Sequence, residues 1–136
     1  TYDPDAHDTI LGVYNEDPDH DFFVEAILAS SDTASQIQVF EAANVTMAGT
    51  AVPAVNLNRA SGRVAKATAK ADETGNTEQA GGYTKLLFRD LLAANTIKRI
   101  EVGGAIVIPQ NKMIGVDLTT AATGANVTIL GWFEPK

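Results

Sequence analysis

The sequence predicts an all-β fold, an antiparallel β-sandwich with a jelly-roll as its leading topology, and three observations carry that expectation. Short apolar stretches alternate residues of opposite character with the period of a half-buried strand. Clusters of Gly, Pro, Asn, Asp and Ser separate those stretches. A long mid-chain connection with neither strand nor helix periodicity interrupts them, as the crossings of Greek-key folds do. An immunoglobulin-like sandwich is the alternative arrangement of the same strands, about seven or eight in number.

The elements follow in order. Residues 1–21 hold Asp3, Asp5, Asp8, Glu16, Asp17, Asp19 and Asp21 together with Pro4 and Pro18, and read as an extended acidic arm ahead of a sandwich domain spanning residues 22–136. Such a terminus stays solvated unless something docks it. Within it, Thr9 to Tyr14 (TILGVY) has the composition of a short strand. Phe22 to Ala29 and Gln36 to Ala42 read as two antiparallel strands joined by the turn-rich Ser30-Ser31-Asp32-Thr33. In the second, Ile37 and Val39 face one way and Gln36 and Gln38 the other.

Asn44 to Gly62 is the long connection, expected to run between sheets. From Arg63 to Ala71, Val64, Lys66, Thr68 and Lys70 alternate with four alanines, and strict alternation outweighs alanine's helix preference, so a strand is expected. After the loop Asp72 to Gly82, Tyr83 to Leu92 fits a strand and a short helix equally well. Ile97 to Ile108, Pro109 to Lys112 and Met113 to Thr119 read as strand, Pro-initiated turn and strand. Gly81-Gly82 and Gly103-Gly104 match no nucleotide-binding glycine motif and read as bends or bulges. In the last strand Ile129 and Phe133 oppose Leu130 and Trp132. A strand apolar on both sides is expected either at a sheet centre or with one face against a neighbour.

Composition sets the outer limits of function. A chain of 136 residues fits one domain able to enclose a core. With five Phe, three Tyr and one Trp, most of that core falls to Ala, Val, Ile and Leu. Seventeen acidic residues against 10 basic give a net charge of −7, whose field repels phosphate backbones and anionic headgroups, so neither nucleic acid nor membrane is an expected partner. No apolar run approaches the length of a spanning helix, and no signal-peptide pattern is read at the start. Because the chain opens on Thr1 rather than Met, export stays open. The absence of cysteine excludes disulfides, thiol nucleophiles and thiolate metal sites.

Catalytic chemistry finds little to build on, and no enzyme is expected. The two histidines, His7 and His20, both lie in the acidic segment beside aspartates, and no serine sits in a G-x-S-x-G turn. Asp17, Asp19 and Asp21 have the spacing that begins a calcium loop, yet Phe22 follows where that loop needs Gly, and no Glu closes it. They are weak metal candidates, and no cofactor is expected. The sequons at Asn44 and Asn126 match a three-residue pattern common by chance. Trp132 and Tyr83 would suit a sugar-stacking platform, although Trp132 sits in a strand whose pattern favours core or subunit packing.

One stretch goes beyond composition. Glu41, then Gly49-Thr50-Ala51-Val52-Pro53-Ala54-Val55-Asn56-Leu57-Asn58-Arg59, resembles the "E…GT…P.N.NR" segment of the small capsid decoration or cement proteins of tailed bacteriophages, which have jelly-roll-like folds. The ending is similar too, with Glu101-Val102-Gly103-Gly104 leading to Ile108-Pro109-Gln110-Asn111, an alternating strand, and a last strand closing on Trp132-Phe133-Glu134. Residues 1–21 depart from the family pattern. The resemblance implies a virion protein on the capsid surface, a homotrimer that clamps neighbouring major capsid proteins. Tyr2 and Tyr14 on the arm, Asn56, Asn58, Arg59 and Trp132 are the residues expected at subunit or capsid interfaces. A carbohydrate-binding or adhesin-like sandwich, including a phage spike or fibre domain, is the alternative reading, and a hydrolase on a β-sandwich is the weakest.

Overall fold

The computed structural model describes residues 2–43, 49–57, 60–64, 66–71 and 85–136. Among them there is no helix, and nine strands form two antiparallel sheets. They are β1 (Thr9–Asn15), β2 (His20–Ser31), β3 (Ser35–Ala43), β4 (Thr50–Val52), β5 (Ala67–Ala71), β6 (Lys85–Leu92), β7 (Thr96–Ile108), β8 (Lys112–Leu118) and β9 (Ala125–Pro135). The larger sheet runs β4-β5-β1-β8-β3-β6 and the smaller β7-β2-β9. A jelly-roll calls for eight strands in two Greek keys. The division into six and three supports the plainer description, an antiparallel sandwich.

Alternation builds the core. Ile37 and Val39 of β3, Ile114, Val116 and Leu118 of β8, and Ile10 of β1 turn inward from the large sheet. Phe22, Val24, Ile27 and Ala29 of β2 and Ile108 of β7 meet them from the small one. The large sheet is also covered on its other side, where Phe40, Ala42 and Met113 form a second cluster with Tyr14 against it. For that reason every residue from Met113 to Leu118 is buried.

In β2 the inward set changes phase between Val24 and Ile27, and a bulge explains it. Val24 pairs with Ile106 while Ala26 pairs with Glu101, so Glu25 faces Val102, Gly103, Gly104 and Ala105. Gly103 at φ 62° and Gly104 at φ 81° supply the left-handed backbone that this irregularity requires. Their sequence reading as a bulge therefore holds.

Several expectations need correcting. The acidic N-terminal segment is not a free arm, because β1 lies inside the large sheet between β5 and β8. Tyr2 and Ala125 exchange backbone bonds at 2.9 and 2.8 Å, Ala122 N–H donates to the Pro4 carbonyl at 3.0 Å, and His7 N–H to that of Leu118 at 2.8 Å. An apolar strand such as TILGVY gains most when it is paired on both edges, and that pairing outweighs the acidic flanks. β2 and β3 are both strands as expected, but they belong to different sheets and do not pair with each other, so Asp32 and its neighbours carry the chain from one layer to the other. The long connection after β3 contains β4 and returns to the sheet it left. Among the described residues of the alternating stretch from Arg63, only Ala67–Ala71 is strand. Tyr83 to Leu92 resolves toward strand over Lys85–Leu92, through its register with β3. Finally, β9 is an edge strand, not a central one.

Candidate functional site

Consecutive residues of a strand point to opposite faces, so the pair Phe22-Phe23 must put one ring on each side of the small sheet. Phe22 goes to the core, where its ring lies 5.1 Å from that of Phe133. Phe23 goes outward and stacks on Trp132, its cross-strand partner, with centroids 5.6 Å apart and planes at 11°. Val107, the partner of Phe23 on the other side, completes the row. Trp132 and Val107 remain 36% and 39% exposed, which makes the row a surface feature and not a second core.

The bulge sets the pose of the indole. A Cβ added at Gly104 would meet Trp132 Cη2 at 2.8 Å, so the ring occupies space that only glycine leaves open. Its N–H donates to Glu134 Oε1 at 2.9 Å, which satisfies the polar atom and leaves the aromatic face on offer. Along the same face the next row holds Ala26 between Glu101 and Leu130, and the one after it Leu28 between Arg99 and Thr128. Arg99 and Glu101 pair with each other on β7, so the charges sit at the margin. Ser30 and Asn126 close one end of the face, and Asp21 opposite Glu134 closes the other. An apolar, aromatic centre within a polar margin is the anatomy of a protein–protein contact.

The weak metal candidates lie near that acidic end but do not converge. Asp17 accepts the Asp19 N–H through Oδ1 at 2.9 Å, and its Oδ2 lies 3.2 Å from His20 Nδ1. The Asp19 hydrogen bond, and after it His20, hold the Asp17 carboxyl below its ordinary pKa. Asp21 sits on β2 facing Glu134. Among the described residues, no group of three His, Asp or Glu side chains is arranged for a metal. The other histidine, His7, places Nδ1 3.3 Å from Gln38 Oε1.

Of the described residues expected at interfaces, Trp132 alone lies on the apolar face. Tyr2 bridges to Ala125 and packs against the main core, and Tyr14 donates to Asn111 Oδ1 at 3.2 Å beside the second cluster, so both serve the fold within the subunit. Asn56 donates through Nδ2 to the Arg63 carbonyl at 3.1 Å and orders its own loop. Asn58, Arg59 and Tyr83 lie outside the described residues. Sequence reasoning missed Phe23 and Leu28, although the adjacent phenylalanines were a signal for the first. Comparison with family models, curated proteins and solved structures finds no match for this chain.

Proposed function

We propose that this chain is a structural protein that works by packing against other protein subunits, and specifically a decoration or cement protein on the outside of a tailed-phage head. In this reading it forms a homotrimer and stabilises contacts between major capsid proteins. One observation carries it: the smaller sheet turns an apolar, aromatic face, centred on Phe23, Trp132 and Val107, away from the core. Burying such a face against protein is favourable, whereas leaving it in water is not. The Gly49-Thr50 to Arg59 segment and the order of the C-terminal features supply the choice of a phage head. A protein that binds the assembled shell but not its separated subunits stabilises the shell by mass action. No catalytic role is assigned to any residue.

The first test is the solution mass by light scattering, expected at about three times the chain mass of 14.3 kDa. The second is co-sedimentation with emptied phage heads stripped of their own decoration, which should bind the protein and then resist disruption by heat. Heads that sediment without it refute the decoration role. A second reading has its own observation, since the Trp132 ring stacked on Phe23 also suits the apolar face of a sugar. Specific binding on a glycan array, lost in Trp132→Ala, would favour that carbohydrate-binding module instead.

A further inference from the structure

The described surface carries a second unpartnered apolar feature besides the sheet face. Val55, Leu57 and Val64 are 63%, 76% and 88% exposed, far more than side chains of their kind need to be. They share one loop, because the Asn56 side chain bonds to the Arg63 carbonyl and brings the two limbs together. Arg63 is exposed on that loop, and its guanidinium has no ion pair among the described residues.

The sheet face complements this loop in both respects. Its centre is apolar and aromatic, and its far end sets Asp21 directly opposite Glu134. Like charges opposed on neighbouring strands destabilise the pair. Asp21 Oδ1 is moreover buried and has no hydrogen-bond partner among the described residues. A guanidinium delivered to that end would relieve the repulsion between the two carboxylates.

We infer that these are the two halves of one contact: the loop carrying Val55, Leu57, Arg63 and Val64 seats on the β7-β2-β9 face of a second copy of this chain. Loop and face are different surfaces, so the contact is head-to-tail, and a head-to-tail contact that closes generates a ring. This identifies the interface of the homotrimer and rests on the oligomeric reading above. It also accounts for how a chain of net charge −7 associates with itself, since Arg63 of the loop meets two carboxylates.

Absence of native cysteine makes the test direct. Leu57→Cys and Val107→Cys proteins are treated with a short bismaleimide, each alone and as a mixture equilibrated to exchange subunits, with Leu91→Cys as a control at an exposed site on neither surface. The mixture is expected to give a covalent pair containing one chain of each variant. Each variant alone stays uncross-linked, and the doubly substituted chain closes into covalent trimers. Leu57→Asp should reduce the scattering mass to that of one chain while leaving the melting temperature of the isolated chain unchanged.

A trimeric mass without the mixed pair overturns this interface and leaves the trimer standing. Leu57→Cys cross-linking to itself overturns the head-to-tail geometry, and a mass of one chain at every concentration overturns the contact altogether. If the mixed pair forms but stripped heads are not bound, the interface survives and the decoration role falls.

Discussion

The side-chain amide of Asn15, at the end of β1 in the large sheet, donates to the carbonyl of Ile108, at the end of β7 in the small one, at 3.0 Å. The same amide donates to His20 O at 3.1 Å, and its Oδ1 accepts the Asp17 N–H at 2.8 Å. A single fully buried residue thus satisfies backbone groups at three places and ties the two layers where β1 passes into β2.

Asn15→Ala leaves those three groups without their partner, and unsatisfied buried polar groups cost about 1–3 kcal/mol each where no water replaces the bond. Allowing for partial hydration, the expected loss is about 2–4 kcal/mol in urea unfolding. Asn15→Asp tests the direction of the bonds. It keeps the shape but turns carboxylate oxygen toward two carbonyls, and it should destabilise at least as much at pH 7 while recovering in part once the carboxyl is protonated. Equal stability of the three proteins would show that Asn15 does not tie the sheets.

Gly115 and Phe40 are cross-strand partners on β8 and β3, and a Cβ at Gly115 would lie 2.3 Å from the Phe40 ring. The ring is fully buried and has little room to move. Gly115→Ala should therefore cost about 1–3 kcal/mol as an overpacked site. Combining it with Phe40→Leu should cost less than the two changes added, because each relieves the other. Strict additivity in denaturant titrations would count against the contact.

How far the sequence discloses this molecule depends on the distance over which the information acts. Alternation in Ile114, Val116 and Leu118 is a property of one strand, and it marked β8 without any knowledge of its neighbours. Membership of a sheet is not local. Ser30 to Thr33 reads as a hairpin turn, yet Asp32 N–H bonds to Gly124 O and Ser31 O accepts from Asn95, so the chain stays beside the starts of β9 and β7 to that point and only then crosses to β3 in the other layer. Residues 85–92 (KLLFRDLL) suit helix and strand alike until β3 supplies the partner. At the candidate face, Trp132 was legible from the two apolar sides of its strand, but its stack on Phe23 needed the register of β2 with β9. Asn15 was invisible, since an asparagine before acidic residues and proline reads as a turn.

Stability should fall in acid with a sign fixed by three carboxyls. Asp17, Asp32 and Asp90 have pKa values lowered from 3.8, principally by hydrogen bonds from Asp19, Thr123 and Lys98 respectively. Asp90 also pairs with Lys98 at 2.8 Å. A carboxyl depressed in the folded state contributes its full stabilisation above the unfolded value and loses it as pH falls through the folded value. The urea midpoint should hold steady from pH 7 to about 5 as far as these groups are concerned and then decline below about 4. Asp17→Asn should make that decline shallower. An unchanged slope would mean that the Asp19 and His20 contacts to Asp17 do not bias its ionisation.

Removal of residues 1–7 distinguishes a docking arm from a part of the fold. An arm that orders only on a partner can be deleted without cost to the isolated subunit. Here the deletion removes the paired Tyr2–Ala125 bonds, the Pro4 carbonyl that accepts from Ala122 and the His7 N–H that donates to Leu118, and it uncovers the core beside Tyr2. The truncated chain should unfold at lower urea, and Tyr2→Ala alone should account for about 1–2 kcal/mol of the loss. Hydrogen exchange should locate the damage at Ala122 and Ala125, beside the start of β9, while the amides of β3 and β8 keep most of their protection. If the truncation instead leaves unfolding and exchange unchanged and alters only binding to a partner, the segment acts as an arm after all.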